Sequence, residues 1–154
     1  MGTRSDRKLN QSQPSKSLLK GASKSSKKKS YAALKRQLDK CFSVWTRRRF
    51  SDPNGLVACN CCGAVKRWQE QQAAHFVSRA YLGTRFEPEN VGVSCFQCNV
   101  FKKGNLAAYA AWGVNWYGMD WPARMVALSR TETKLTRADL QQMIEDYEAK
   151  IKAL

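Results

Sequence analysis

Cys59-Asn60-Cys61-Cys62-Gly63 and, further along, Cys95-Phe96-Gln97-Cys98 are the stretches that decide the fold of this chain. They contain two Cys-x2-Cys pairs, Cys59 with Cys62 and Cys95 with Cys98. Four thiolates at this spacing suit one tetrahedral zinc. A glycine directly after Cys62 fits the tight turn of a zinc knuckle. Cys61 could replace either neighbour only with distorted geometry. Buried free thiols or a redox pair are the other readings of the same residues. Four thiolates close a zinc shell and leave no position for water, so the zinc is structural and any chemistry needs a second site.

The rest of the composition agrees with a metal reading. The longest apolar runs are a few residues, far short of the roughly 20 that span a bilayer. The basic amino terminus has no apolar core of a secretory signal. Six cysteines in a chain with no export signal belong in a reducing compartment, where metal ligation is commoner than disulfides. We therefore expect a cytoplasmic protein without membrane contact.

The chain has 154 residues, 27 Lys plus Arg against 12 Asp plus Glu, and a formal charge of +15. Residues 1–30 carry +8, residues 31–49 carry +5 and the remainder only +2. This excludes an acidic disordered chain and points to a polyanionic partner. Residues 1–30 are rich in Ser, Lys, Gln and Asn and have too little apolar surface to offset their ordering entropy. They read as a disordered basic arm, with Lys27, Lys28 and Lys29 as phosphate contacts; a solubilising tail is the alternative.

Working outward from the cysteines, a helix is expected near 31–49 on the stripe Leu34, Leu38, Cys41, Phe42 and Trp45. The run Arg47-Arg48-Arg49 lies off that stripe, as a solvated face or as a rail along a DNA backbone. Ser51-Asp52-Pro53-Asn54-Gly55 ends this helix. Strands are expected at 71–76 and 91–94, and a short helix at 96–103. Gly104 is a stop and Asn105 an N-cap for a helix over 106–112. Asp120-Trp121-Pro122 opens another, to about Ser129. Thr136 and Asp139 resemble a capping box for a final helix at about 136–153, with the stripe Leu140, Met143, Ile144, Tyr147, Ile151 and Leu154. The expected class is α+β: a zinc-clamped ββα core at about 56–112, flanked by helices, in a single domain spanning 31–154. Most of Trp45, Trp68, Trp112, Trp116 and Trp121 should be core, with one available to stack on an unpaired base.

His75, the only histidine, falls between the cysteine pairs on an expected strand. Asn90 opens the next strand and Asn99 follows Cys98. A zinc-held strand–strand–helix unit carrying His, Asn and a helix-borne polar group resembles the ββα-metal nucleases, the treble-clef or HNH arrangement. The resemblance implies that His75 is a general base activating water against a phosphodiester, as suits an imidazole near neutral pH. It implies further that Asn90 fixes the loop and orients His75, and that a magnesium or similar divalent ion lies near Asn99.

A narrower resemblance runs through Ala74-His75-Phe76-Val77-Ser78-Arg79, Arg85-Phe86-Glu87-Pro88-Glu89-Asn90-Val91 and Cys95 to Leu106, with Tyr109. This is similar to the NinG/Rap family of phage recombination proteins, over about two thirds of the chain. It implies a phage-encoded endonuclease selective for branched recombination intermediates such as Holliday junctions and D-loops. Lys102 joins His75, Asn90 and Asn99 as a catalytic candidate, and Arg79, Arg85, Lys103 and Asn105 are phosphate or transition-state contacts. Two positions depart from the patterns. Ala74 stands where HNH enzymes often carry a metal-binding Asp or His, and Phe101 where some family members carry a histidine. Symmetric resolution of a four-way junction needs two active sites, so a homodimer is expected, through the helix at 31–49 or the final helix. The competing functions are a non-catalytic zinc-dependent nucleic-acid-binding module and a structural or assembly protein.

Overall fold

The computed structural model describes residues 29–154; residues 1–28 of the expected arm, with Lys27 and Lys28, lie outside the described residues. The chain runs α1 (Tyr31–Arg49), β1 (Leu56–Ala58), β2 (Val65–Arg67), β3 (Gln72–His75), α2 (Leu82–Arg85), β4 (Val91–Ser94), α3 (Leu106–Tyr117), α4 (Trp121–Ser129) and α5 (Arg137–Lys152). No helix among them is long and apolar enough to cross a membrane.

Two helices make the first core. Ser30 caps α1, its hydroxyl accepting from Ala33 N at 3.2 Å, and Leu34, Leu38 and Phe42 are buried at helical spacing. Helix α5 starts from a complete capping box: Thr136 N donates to Asp139 and Asp139 N donates to Thr136 Oγ1. Its Leu140, Ile144 and Tyr147 meet the α1 stripe, and Phe42 packs edge-on against Tyr147 at 5.0 Å. Each stripe thus covers the other within one chain. Cys41 and Trp45 sit at the margin of this core, and Leu154 is exposed.

Strands β3 and β4 form an antiparallel pair in register Gln72↔Ser94 to His75↔Val91, as the sequence predicts. A second hairpin, β1 with β2, is a finding beyond the expected elements. Its strands are three residues long and largely exposed, so they carry no readable alternation. Its turn holds the first cysteine pair. The expected helix at 96–103 is a single π-helical turn, Gln97–Phe101, closed by Lys102 N donating to Gln97 O.

The second core lies on the other side of β3, where Ala74, Tyr109, Trp121 and Met125 are buried. Helix α3 continues past the expected Trp112 to Tyr117 because Gly113 is not a stop. The Trp121 ring lies flat against it, and a Cβ there would overlap that ring. Asp120 does not cap α4 with its side chain; its carboxylate pairs with Arg124 at 2.9 Å. Asn105 precedes α3 in the left-handed region, φ 46°, also without a side-chain cap.

The triple arginine departs most from expectation. Arg47 donates to the carbonyls of Trp68 and Gln71, and Arg48 to that of Ile151. Arg49 donates to Pro88 O at 2.6 Å and Val91 O at 3.1 Å, with its guanidinium over the rings of Trp45 and Phe50 at 4.3 and 4.6 Å. These three cations are not an exposed phosphate rail. They bind α1 to three separate parts of the chain by satisfying carbonyls that end or leave regular structure.

Candidate functional site

The β1–β2 turn and the segment after β4 bring Cys59, Cys62, Cys95 and Cys98 together, with all four sulfurs within 4.8 Å of one another. A tetrahedron of zinc–sulfur bonds of ~2.3 Å sets its sulfurs ~3.8 Å apart, and Cys62 Sγ lies 3.8 Å from Cys95 Sγ. The four sulfurs are therefore close enough together to hold a metal ion such as zinc. Gly63, at φ 73°, makes the turn, and Gly63 N donates to Cys59 O at 2.8 Å. Burial alone would push the Cys59 thiol up, but backbone N–H groups around it, first that of Cys95, hold it at about 7. Cys98 N donates to Cys95 Sγ and Asn105 Nδ2 to Cys98 Sγ, so the sulfurs also have outer partners. Cys61 stands outside the four, 3.5 Å from Ser94 Oγ.

A cleft of about 430 Å³ opens beside this centre, lined by Asp39 and Ser43 of α1, His75 of β3, Ser78 and Arg79 of the following loop, and Asn99 of the π turn. Strand alternation places His75 on this side and Ala74 in the second core. His75 Nε2 is 3.0 Å from the carbonyl oxygen of Arg85. A carbonyl can only accept, so the ring carries its proton on Nε2 and leaves Nδ1 as the acceptor. Burial lowers the His75 pKa below 6.5, and the Arg85 and Arg79 charges reinforce that shift.

Asn90 is fully buried. Its Oδ1 accepts from Val77 N at 2.8 Å, and its Nδ2 donates to the carbonyls of Val77 and Thr84 at 3.0 and 2.9 Å. One side chain thus fixes both ends of the loop that leaves His75 and carries Arg79. Asn99 Nδ2 donates to Gln72 Oε1 at 2.6 Å, which leaves Asn99 Oδ1 without that commitment.

A family model described as Bacteriophage Lambda NinG protein matches residues 3–154. The chain belongs to the NinG family. No curated protein and no solved structure matches it.

In this NinG-family chain, the cleft gathers His75, Asn99 and Arg79 from the sequence candidates, with Asn90 directly behind them. Lys102 and Lys103 are exposed beyond the π turn. Arg85 is turned away from open phosphate contact: its Nη2 and Nε hold Asp39 at 2.7 and 2.9 Å. Asn105 is directed at Cys98. Lys29 is exposed and donates to Gln37. Ala74 is 2% exposed and its carbonyl accepts from Tyr109, which leaves no room there for the Asp or His that HNH enzymes often carry. The cysteine cluster is the one gathering of three or more metal-ligating side chains among the described residues. The cleft's single carboxylate, Asp39, is held by Arg85, so the protein alone does not complete a shell for a second, divalent ion there. Asp39 and Gln72 were not candidates from sequence. Asp39 is the lone acid of the basic stretch 31–49, a signal that such a residue has a partner, but its partner lies 46 positions away.

Proposed function

We propose that this NinG-family protein is a structure-selective endonuclease that hydrolyses a phosphodiester in branched DNA, such as a Holliday junction or D-loop. The observation that carries the reading is His75: its tautomer is fixed by the Arg85 carbonyl, in a cleft shared with Asn99 and Arg79. The antiparallel β3–β4 pair followed by the π turn, beside a cysteine cluster that could hold zinc, supports an HNH-like reading.

In this reading, Nδ1 of His75 takes a proton from water as its oxygen attacks phosphorus. A new phosphorus–oxygen bond forms, the bond to the leaving sugar oxygen breaks, that oxygen takes a proton from solvent water, and the His75 imidazolium returns its proton to solvent. Holding the ring in one tautomer keeps the accepting lone pair available through the cycle. Arg79 is placed to meet the phosphate, and Asn90 keeps the Arg79 loop and His75 in one frame. Magnesium or a similar ion would arrive with the DNA phosphate, since such ions commonly take one or two protein oxygens and complete their shell with phosphate and water. It would stabilise the developing charge and the leaving oxygen, and Asn99 Oδ1 would offer it a protein oxygen. The four cysteines would hold zinc and contribute folding free energy alone. The basic amino-terminal residues would supply phosphate contacts without sequence preference. Two copies would act on the two strands of a symmetric junction, in the cytoplasm of a phage-infected host.

One observation favours the second reading, a zinc-dependent binding module without chemistry: the commitment of Asp39 to Arg85. Incubation with labelled four-way junction and duplex, with magnesium and after its removal, separates the two. Magnesium-dependent cutting lost in His75→Ala supports the nuclease. Binding without cutting at any divalent ion concentration supports the module.

A further inference from the structure

Beyond the cleft, the π turn and the residues after it carry an apolar tip that nothing among the described residues covers. Phe96 is 51% exposed and Phe101 67%. Their rings pack edge to face at 5.4 Å, and Val100 and Leu106, close by in sequence, are also exposed. Exposed apolar groups scattered singly need no explanation, but a contiguous aromatic pair with aliphatic neighbours does.

The tip is mounted rigidly. Lys103, Gly104 and Asn105 have φ of 48°, 91° and 46°, three consecutive residues in the left-handed region. Two of them are not glycine, and such a conformation persists only where the surroundings enforce it. Gly104 N donates to the carbonyls of Cys98 and Asn99, and Asn105 to Cys98 Sγ, so the tip is lashed to the metal centre. Its cost of ordering is met in the free protein.

Charge decides what it meets. Lys102 and Lys103 are exposed at its rim, and residues 90–119 contain no Asp or Glu. In a two-fold dimer this surface would face its own copy, lysine toward lysine. A nucleic acid instead offers phosphates to the lysines and base faces to the rings. Paired duplex hides those faces in its stack; a branch point, where stacking is interrupted, presents them.

We propose that Phe96 and Phe101, with Val100 and Leu106, form a wedge that enters the interrupted base stack at a DNA branch point, with Lys102 and Lys103 on the flanking phosphates. The proposal deepens, and rests on, the reading of this protein as acting on branched DNA. Asn99 of the cleft and Phe101 belong to the same π turn, so the wedge would set the scissile phosphate within a few nucleotides of the branch.

The test uses a four-way junction with 2-aminopurine at the branch point, bound by full-length His75→Ala protein so that no strand is cut. Fluorescence should rise on binding as the probe unstacks. Adding Phe96→Ala and Phe101→Ala should abolish the rise and lower the preference for junction over linear duplex at least about tenfold, the order of one lost stacking contact. Linear duplex affinity should change less than about twofold, because it rests on phosphate contacts. Phe101→Trp should keep the rise. An unchanged rise and preference in the double alanine variant would overturn the wedge. So would sedimentation showing that the same variant turns a dimer into monomers, which would make the tip a contact between copies. A wild-type rise with no cutting by the wild-type protein would support the wedge and refute the nuclease reading.

Discussion

Arg85 grips Asp39 with its Nε and Nη2 while its own carbonyl oxygen receives the His75 ring. One residue therefore ties α1, the loop before β4 and the catalytic candidate together. Arg85→Ala leaves the carbonyl but frees the loop that carries it. Cleavage should fall about 10–100-fold, at a stability cost of about 1–3 kcal/mol, since the pair is mostly but not wholly buried. The Arg85 charge also depresses the His75 pKa, so the acid limb of the rate profile should move upward in Arg85→Ala and stay in place in Arg85→Lys. A variant that is less stable but keeps the wild-type rate and profile would show that the pair only braces the fold.

His75→Ala should lower junction cleavage by about 10²–10⁴-fold, the usual contribution of a positioned base. Junction affinity and metal content should stay near wild type, because neither phosphate contacts nor the four sulfurs involve the ring. Because burial lowers the folded pKa, the wild-type acid limb should lie below 6.5. The same shift has a stability sign. Below 6.5 the unfolded chain binds a proton that the folded ring resists, so this contribution is intact above 6.5 and erodes as pH falls. A limb at or above 6.5 in the wild type would place the base elsewhere.

Metal analysis should find one zinc per chain. Chelation, or Cys95→Ser with Cys98→Ser, should unfold the two hairpins as judged by amide exchange, since metal binding supplies folding free energy in small domains. Cys61→Ser should leave the zinc content unchanged, because that thiol faces Ser94 instead. Zinc lost from Cys61→Ser but kept in Cys62→Ser would reverse the ligand assignment.

Asn90→Ala removes a buried side chain that satisfies one amide and two carbonyls. Leaving such groups unpaired costs about 1–3 kcal/mol each, so chemical denaturation should register a loss of at least about 2 kcal/mol. Exchange at Val77 N should accelerate first. Asn90→Asp keeps one acceptor for Val77 N but faces two carbonyls, and should be no better. Unaltered exchange at Val77 in Asn90→Ala would contradict the loop-fixing role.

The cysteine cluster was legible because its four thiols come as two local pairs, each spacing read without knowledge of the fold. His75 and Asn99 followed, since both sit within a few residues of elements the cysteines hold. Asp39 and Gln72 were not, because their partners Arg85 and Asn99 are distant in sequence and only tertiary contact pairs them. Arg47, Arg48 and Arg49 find separate carbonyl partners for a simpler reason. Successive helical residues point ~100° apart, so three in a row cannot line one edge; they reach three different neighbours, as found. The β1–β2 hairpin escaped because strands this short and exposed follow their turn, and their own side chains say little.

Arg49 gives the molecule a property that its charge would not suggest. This cation has two carbonyl oxygens at Nη2 and aromatic faces on its flanks, with no carboxylate among these contacts. Salt that screens ion pairs and acid that neutralises them have little to act on at this joint. The brine that would strip the protein from a phosphate backbone should therefore leave the seam between α1 and β4 closed, so that release from DNA and loss of structure occur at widely separated ionic strengths.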